Sequence, residues 1–201
     1  MNIQRIDNYI DNRFSDKVLK QHGGYLIDEK PYEVEIISHD TAIVRGWDKD
    51  KYMELIEEFR FHAPHIIRFV DDSGSMIHEY QEEKIFDLDI SQIQPSQFFV
   101  DEEKLEAIRT FIHTPENVVI QVIKWNDRHI SLDGHTRLYC AMSLGFSHVC
   151  AVISETDDWV WTFVEEAQRR GIYSPGDMKL LSHEEYDILW NQYCNSVFGE
   201  K

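Results

Sequence analysis

The chain has few basic residues for its length. Of 201 residues, 20 are Lys or Arg and 37 are Asp or Glu, which gives a formal net charge of −17 at pH 7. This charge repels the phosphate backbones of DNA and RNA and the anionic surfaces of membranes. Nucleic acid and membrane are therefore not expected as partners.

Cysteine and histidine spacings typical of disulfides or metal sites are also lacking. The three cysteines, Cys140, Cys150 and Cys194, lie in apolar contexts without CxxC spacing, and no two of the ten histidines stand at HxH or HxxxH spacing. The sequence therefore predicts buried, inert thiols, with no disulfide framework and no structural zinc.

Long apolar runs are absent as well. Residues 1–5 are polar and are not followed by the apolar segment of a signal peptide, and no stretch is long enough to cross a bilayer. We expect a cytoplasmic protein. Its content of 42% apolar and 12% aromatic residues is sufficient for a packed core.

The first 84 residues are predicted to form a small α+β unit. Apolar residues recur at helical spacing over residues 2–21, namely Ile6, Tyr9, Ile10 and Phe14. Two hairpins are predicted on either side of a second helix, which runs from Asp48 to Pro64. Their strands are 32–38, 41–47, 65–70 and 75–80. The polar stretch 81–84 then separates this ββαββ unit (residues 1–84) from a second domain (residues 85–201).

The second domain alternates strands and helices before it becomes helical. Strands are predicted at 85–90, 118–125, 130–132 and 148–153. The strand 118–125 is almost entirely apolar at its start and is expected to be central. A loop containing Pro95 leads to a helix over 105–112 that Asp101 caps, and a second helix follows Gly134. Beyond residue 154 the chain is predicted to be helical, with a capping box at Ser182.

The run Asp133-Gly134-His135-Thr136-Arg137, called the box below, joins a predicted strand to a predicted helix. The first turn of a helix offers unpaired N–H groups and the positive end of the helix dipole, and here it also carries Arg137 and His135. This combination suits a phosphate or a carboxylate. The alternative is that Asp133 caps the helix, Gly134 allows a tight turn, and His135 and Arg137 are solvated surface residues.

The second domain resembles the ParB/sulfiredoxin-like superfamily over residues 85–153. Two segments carry the resemblance: the strand and loop that end at Pro95 with the helix and strand after them, and the D-G-H-x-R box with the helix that it opens. The resemblance implies a mixed-sheet domain in which Gly134, His135, Thr136 and Arg137 hold nucleotide phosphates. It also implies ATP or ADP as cofactor with Mg²⁺, which Asp133 helps to hold.

The chain departs from each kind of family member. Sulfiredoxins place a cysteine before the box histidine, where this chain has Gly134. Partition proteins carry a basic helix-turn-helix region, whereas residues 155–201 are acidic and aromatic. Free serine kinases place a glutamate base soon after the proline, where this chain has Ser96 and Gln97, and a glutamine accepts no proton at neutral pH. A nearby acid is then needed as a substitute, and the candidates are Asp101, Glu102 and Glu103.

Two functions are predicted from the same pocket. The first is phosphoryl transfer to a small molecule, with Arg137 and the helix amides stabilising phosphate charge, His135 donating to it and Asp133 orienting metal or substrate. The second is a non-catalytic nucleotide or anion sensor, which the Ser96-Gln97 departure favours. The net charge of −17 makes nuclease activity the least favoured function.

The aromatic residues near the C-terminus are expected to pack between helices. Trp161 is the exception, because Val160 and Phe163 occupy the inner face of its helix. This position predicts a homodimer contact for the Trp161 ring.

Overall fold

The structure is a computed structural model that describes residues 2–199. The chain divides into two compact units, one ending at Glu83 and the other beginning at Lys84. The division lies next to the predicted boundary after Lys84. Both units contain helices and sheets, so the protein is α+β. Among residues 2–199, no helix has the length and apolar content that crossing a membrane requires.

The first unit is built on a six-stranded sheet. Its strands are β1 (Ile3–Arg5), β2 (Gly24–Ile27), β3 (Lys30–Ile36), β4 (Thr41–Gly46), β5 (Arg68–Val70) and β6 (Met76–Glu79). They lie in chain order, with antiparallel neighbours except for the parallel pair β4 and β5. Helix α1 (Asp16–Lys20) precedes β2, and α2 (Tyr52–His62) connects β4 to β5.

The core of the first unit lies between α2 and one face of its sheet. The buried residues of α2 are Tyr52, Leu55, Ile56 and Phe59. They pack with buried residues of β3 and β4, namely Tyr32, Val34, Ala42 and Val44. This is the burial that the helical and strand periodicities predict.

The predicted helix over residues 2–21 is wrong. The segment contains strand β1, an irregular stretch and only the five-residue helix α1. Its apolar residues Ile6 and Phe14 do join one small core, but Ile10 is 92% exposed. The stretch between them is rich in Asp and Asn, and Asp11 accepts hydrogen bonds from the Arg13 backbone and side chain, which favours a turn over a helix. The four strands of the predicted ββαββ unit therefore belong to a six-stranded sheet that also contains β1 and β2.

The second unit is built on a five-stranded mixed sheet. Its strands are β7 (Phe86–Asp89), β8 (Ile93–Pro95), β10 (Val119–Trp125), β11 (Arg128–Ser131) and β12 (His148–Ile153). The order is β7-β12-β10-β11-β8, so β10 is central as predicted. It is parallel to β12 and antiparallel to β11. Two further short strands, β9 (Phe99–Asp101) and β13 (Lys179–Leu181), form a separate parallel pair.

Helices cover both faces of the mixed sheet. Helices α3 (Glu102–Arg109) and α4 (His135–Ser143) share a core with Ile120 and Val122 of β10. Helix α5 (Trp159–Arg169) packs Val160 and Val164 onto Ile130. The chain ends in α6 (His183–Tyr186), a π-helical turn and α7 (Gln192–Phe198).

Two expectations for the second unit are wrong. Pro95 closes strand β8 instead of lying in a loop; β8 is at the edge of the sheet, where a missing N–H is tolerated. The region beyond residue 154 is not wholly helical, because residues 179–181 form β13. A three-residue strand is too short to show a period in the sequence.

Candidate functional site

The box connects strand β11 to helix α4 through a left-handed glycine. Gly134 is the N-cap residue of α4 and has φ of +79°, a conformation that residues with a Cβ adopt only with strain. A Cβ at this position would also lie 2.8 Å from Cγ2 of the buried Ile120. Gly134 has no side chain to accept a hydrogen bond from the first-turn amides of α4. One interpretation of the sequence placed Asp133 at the N-cap of this helix. Gly134 occupies the N-cap instead, and Asp133 lies one residue before it.

The guanidinium of Arg137 is fixed beside the start of α4. Its Nη1 donates to the carbonyl of Val119 at 2.7 Å, and its Nη2 lies 3.5 Å from Oδ2 of Asp133. The Arg137 side chain is 21% exposed. Arg137 is therefore not a freely solvated surface residue. A cation in the first turn of a helix opposes the helix dipole, so this region favours added negative charge.

The imidazole of His135 is buried beneath the box. His135 is 5% exposed, and burial lowers its pKa to about 4, so the ring is neutral at pH 7. The backbone N–H of Ser96 donates to Nε2 at 3.3 Å, and the Ser96 hydroxyl lies 3.2 Å from the same nitrogen. His135 thus ties the first turn of α4 to the residue that follows β8.

Ser96 and Ser131 complete a buried polar cluster around His135. The Ser96 hydroxyl donates to the carbonyl of Ser131 at 2.7 Å. Within the part of the chain that the structure describes, Oγ of Ser131 is buried and has no hydrogen-bond partner. The sequence identified Ser96 only as a departure from the kinases. Its position directly after Pro95 was the available signal, but the contact with His135 depends on tertiary structure.

The residues considered as substitutes for a missing base have other contacts. The Asp101 side chain is fully buried; it accepts a hydrogen bond from the Glu103 amide at 2.8 Å and pairs with Nδ1 of His183 at 2.8 Å. It caps α3, as predicted. Glu102 and Glu103 are exposed first-turn acids of α3. The amide of Gln97 donates to the Tyr186 hydroxyl at 3.2 Å.

The described residues contain no group of three or more His, Cys, Asp or Glu side chains arranged to hold a metal ion. A Mg²⁺ ion delivered with a nucleotide needs fewer protein ligands, because phosphate oxygens and water supply the rest. Asp133 is the carboxylate of the box, and its side chain is 45% exposed.

Trp161 lies on the outer side of α5 and is 38% exposed. Its ring centroid is 6.5 Å from that of Trp125, in a tilted arrangement. Part of the ring therefore packs within the same unit, and the dimer contact stays a prediction.

No family model and no curated protein matches the chain. Among solved structures, the chain is similar to the protein Atu1540 from Agrobacterium tumefaciens, with 16% sequence identity and a TM-score of 0.35. The similarity covers 48% of this chain and 61% of that one.

Proposed function

We propose that the chain is a ParB-like protein that binds the phosphate of a nucleotide, ATP or ADP, at the N-terminus of α4. One observation carries the proposal. The Arg137 guanidinium is anchored by the Val119 carbonyl beside Gly134 at the N-terminus of α4, and the Arg137 side chain is partly exposed to solvent. Backbone amides and a fixed guanidinium are the donors that recognise phosphate oxygens.

The electrostatics of the box support an anionic ligand. A negative charge at a helix N-terminus gains roughly 0.3–1 kcal/mol, and each hydrogen bond to a charged group contributes about 1.5–3 kcal/mol. Asp133, at 3.5 Å from Arg137, balances the formal charge of the guanidinium but not the partial positive charge of the helix N-terminus. A phosphate group that contacts Arg137 and two amides would gain about 5–10 kcal/mol from these contacts before the cost of association is subtracted.

The contacts around the box favour a binding protein over an enzyme. A neutral His135 with a pKa of about 4 is a weak proton donor and acceptor at pH 7, and it is already bonded to Ser96. Asp101 is bonded to His183 and the α3 amides. We therefore propose a nucleotide or anion sensor first, with small-molecule phosphoryl transfer as the second candidate.

The binding proposal is tested by thermal shift with ADP, ATP and inorganic phosphate, each with and without Mg²⁺. Ligand at 100 times its Kd adds about 2.7 kcal/mol of stability, which raises the melting temperature by several degrees. Arg137→Ala should abolish the shift. Arg169→Ala is the matched control, because Arg169 is a 70% exposed arginine of the same unit that pairs with Glu166. An undiminished shift in Arg137→Ala, or no shift with any ligand, would refute the proposal.

Turnover separates the two candidate functions. A sensor leaves ATP and ADP intact when it is incubated with Mg²⁺ and a panel of amino acids and alcohols. Loss of a phosphate group, dependent on Arg137 and on one acceptor, would identify a phosphotransferase instead. Plasmid cleavage in the same buffer would support the nuclease function that the charge disfavours.

Replacing Asp133 by Asn tests its proposed contact with Mg²⁺. The carboxylate repels a bare anion but attracts a metal that the anion brings. Asp133→Asn should tighten the binding of inorganic phosphate without metal by a few-fold and weaken the binding of Mg²⁺-ATP. Isothermal titration of both ligands measures this, and equal changes for both would exclude a metal role for Asp133.

A further inference from the structure

The six-stranded sheet of the first unit has a second, polar face. Residues directly opposite each other in β3 and β4 share a face, as Glu33 and Arg45 do. At one end of this face, Phe14 lies over Gly24, where an added Cβ would be 3.3 Å from the ring. The small core around Phe14 thus covers β2.

A shallow, open groove of about 410 Å³ lies on this face. Its lining residues are Arg13, Pro31, Glu33, Arg45, Gly46 and Trp47. Trp47 is 72% exposed, with Nζ of Lys30 lying 5.8 Å from the centroid of its ring. The groove is shallow and open, with the Trp47 indole beside polar groups that form ion pairs.

The polar groups in the groove are held in place by one another. Nη1 of Arg45 lies 2.7 Å from Glu35 and 3.3 Å from Glu33, and its Nε pairs with Asp72. These contacts immobilise the guanidinium and Glu33 before any ligand arrives. A ligand that hydrogen-bonds to them loses less conformational entropy than it would on mobile side chains.

The charges around the groove are nearly balanced. The cations are Arg13, Lys17, Lys30 and Arg45. The carboxylates are Asp11, Glu33, Glu35 and Asp72. Lys30 already lies 5.8 Å from the centroid of the Trp47 ring, in the place that a cationic ligand would take. An anion meets the carboxylates, and a cation meets Arg13 and Lys30, so neither sign of charge is favoured.

We infer that the groove is a binding site for a neutral saccharide. A sugar ring has an apolar face that packs on an exposed indole, and its hydroxyl groups both donate to carboxylates and accept from guanidinium groups. This matches Trp47 beside the fixed pair of Glu33 and Arg45. The inference is independent of the nucleotide site in the second unit.

The test is isothermal titration of the full chain with maltohexaose, cellopentaose and chitopentaose. We expect saturable binding of at least one of them, with a Kd below about 10 mM. Trp47→Ala should weaken it by about tenfold or more, and Trp47→Phe, which keeps an aromatic face, by less. Trp161→Ala is the matched control, a partly exposed tryptophan of the other unit, and should bind like the unchanged protein.

Trp47 is exposed, so its replacement is not expected to unfold the protein, and an unchanged melting temperature verifies this. Absence of binding to all three oligosaccharides would overturn the inference. Equal affinity in Trp47→Ala and the unchanged protein would overturn it as well.

Discussion

The position of the Arg137 guanidinium depends on the absence of a side chain at Gly134. A Cβ at position 134 would lie 3.1 Å from Nη2 and 3.3 Å from Cζ of Arg137, so the glycine leaves the space in which the guanidinium reaches the Val119 carbonyl. Arg137 in turn is a cation at the wrong end of a helix dipole and needs Asp133 or a ligand as counter-charge. The box therefore places one cation, Arg137, and one carboxylate, Asp133, at the N-terminal end of α4.

Gly134→Ala should destabilise the protein more than Gly145→Ala. Both glycines have φ of +79°, but only the Cβ at 134 meets other atoms. The left-handed conformation alone accounts for about 1–2 kcal/mol at either site, and overpacking against Ile120 and Arg137 adds about 1–3 kcal/mol at 134. Urea unfolding measures the difference, and equal losses for the two variants would contradict the close packing described here.

His135 should make the protein sensitive to acid. Its pKa is about 4 in the folded state and about 6.5 when the chain is unfolded, so the unfolded state binds more protons between these values. The stability from neutral His135 is fully present above pH 6.5. It decreases as the pH falls toward 4, by up to about 3 kcal/mol.

Carboxylates also titrate in this range, so the relevant quantity is the difference from His135→Gln, whose amide does not titrate. We expect the free energy of unfolding of the two proteins to converge between pH 7 and pH 4.5, measured in urea. A constant difference would mean that His135 is not buried in neutral form.

Several single-residue roles were not predictable from the sequence. The box histidine looks like a solvent-accessible donor when only its spacing is known, and its burial follows from packing between β8 and α4. Ser96 acquires its contact with His135 from the pairing of β8 with β11. By contrast, the cap role of Asp101 is local chemistry and was predicted.

Helices and strands differ in how far the sequence predicts them. Periodic or continuous apolar residues predict the amphipathic faces of α2 and α5 and the central strand β10, and a four-residue pattern predicts the capping box at Ser182. All of these are present. Strands β1, β5, β8, β9 and β13 have three residues each, which is too few for a period, and of these only β5 lies within a predicted strand, 65–70. They form because neighbouring chain segments supply hydrogen-bond partners, and that information is not local.

Helix α6 is attached to the rest of its unit by a charged contact. His183 in α6 lies 2.8 Å from the buried carboxylate of Asp101 and 3.6 Å from Asp187, and Glu103 adds a more distant negative charge. The hydrogen bond to Asp101 raises the pKa of His183. This contribution is fully present below about pH 6.5 and is lost as the pH rises through the higher folded-state value.

His183→Gln should therefore reduce stability at pH 6 and have a smaller effect at pH 9. The histidine side chain is 37% exposed, so solvent screening limits the effect to about 0.5–1 kcal/mol. Unfolding in urea at both pH values measures it. Asp101→Asn keeps an α3 cap but removes the charge, and in that background the pH dependence of His183→Gln should disappear; its persistence would assign it to Asp187.

The two units have separate hydrophobic cores. The main core of the first unit includes Leu55 and Phe69, and that of the second includes Ile120 and Leu138, with no member in common. The box and all of its described contacts lie in the second unit. Phosphate recognition should therefore not depend on the first unit.

A fragment of residues 84–201 should fold and bind the same nucleotide with an affinity within about threefold of the full chain. Calorimetry of the fragment and titration with ADP test this. A fragment that folds cooperatively but does not bind would show that the first unit contributes to the site.

The most direct test of the phosphate site is a titration of the ¹⁵N-labelled chain with ADP and with inorganic phosphate, followed by amide NMR shifts. The largest shifts should occur at the amides of His135, Thr136 and Arg137 for both ligands, and Arg137→Ala should remove them. Saturable binding whose largest shifts lie elsewhere, with the amides of α4 unchanged, would contradict the account.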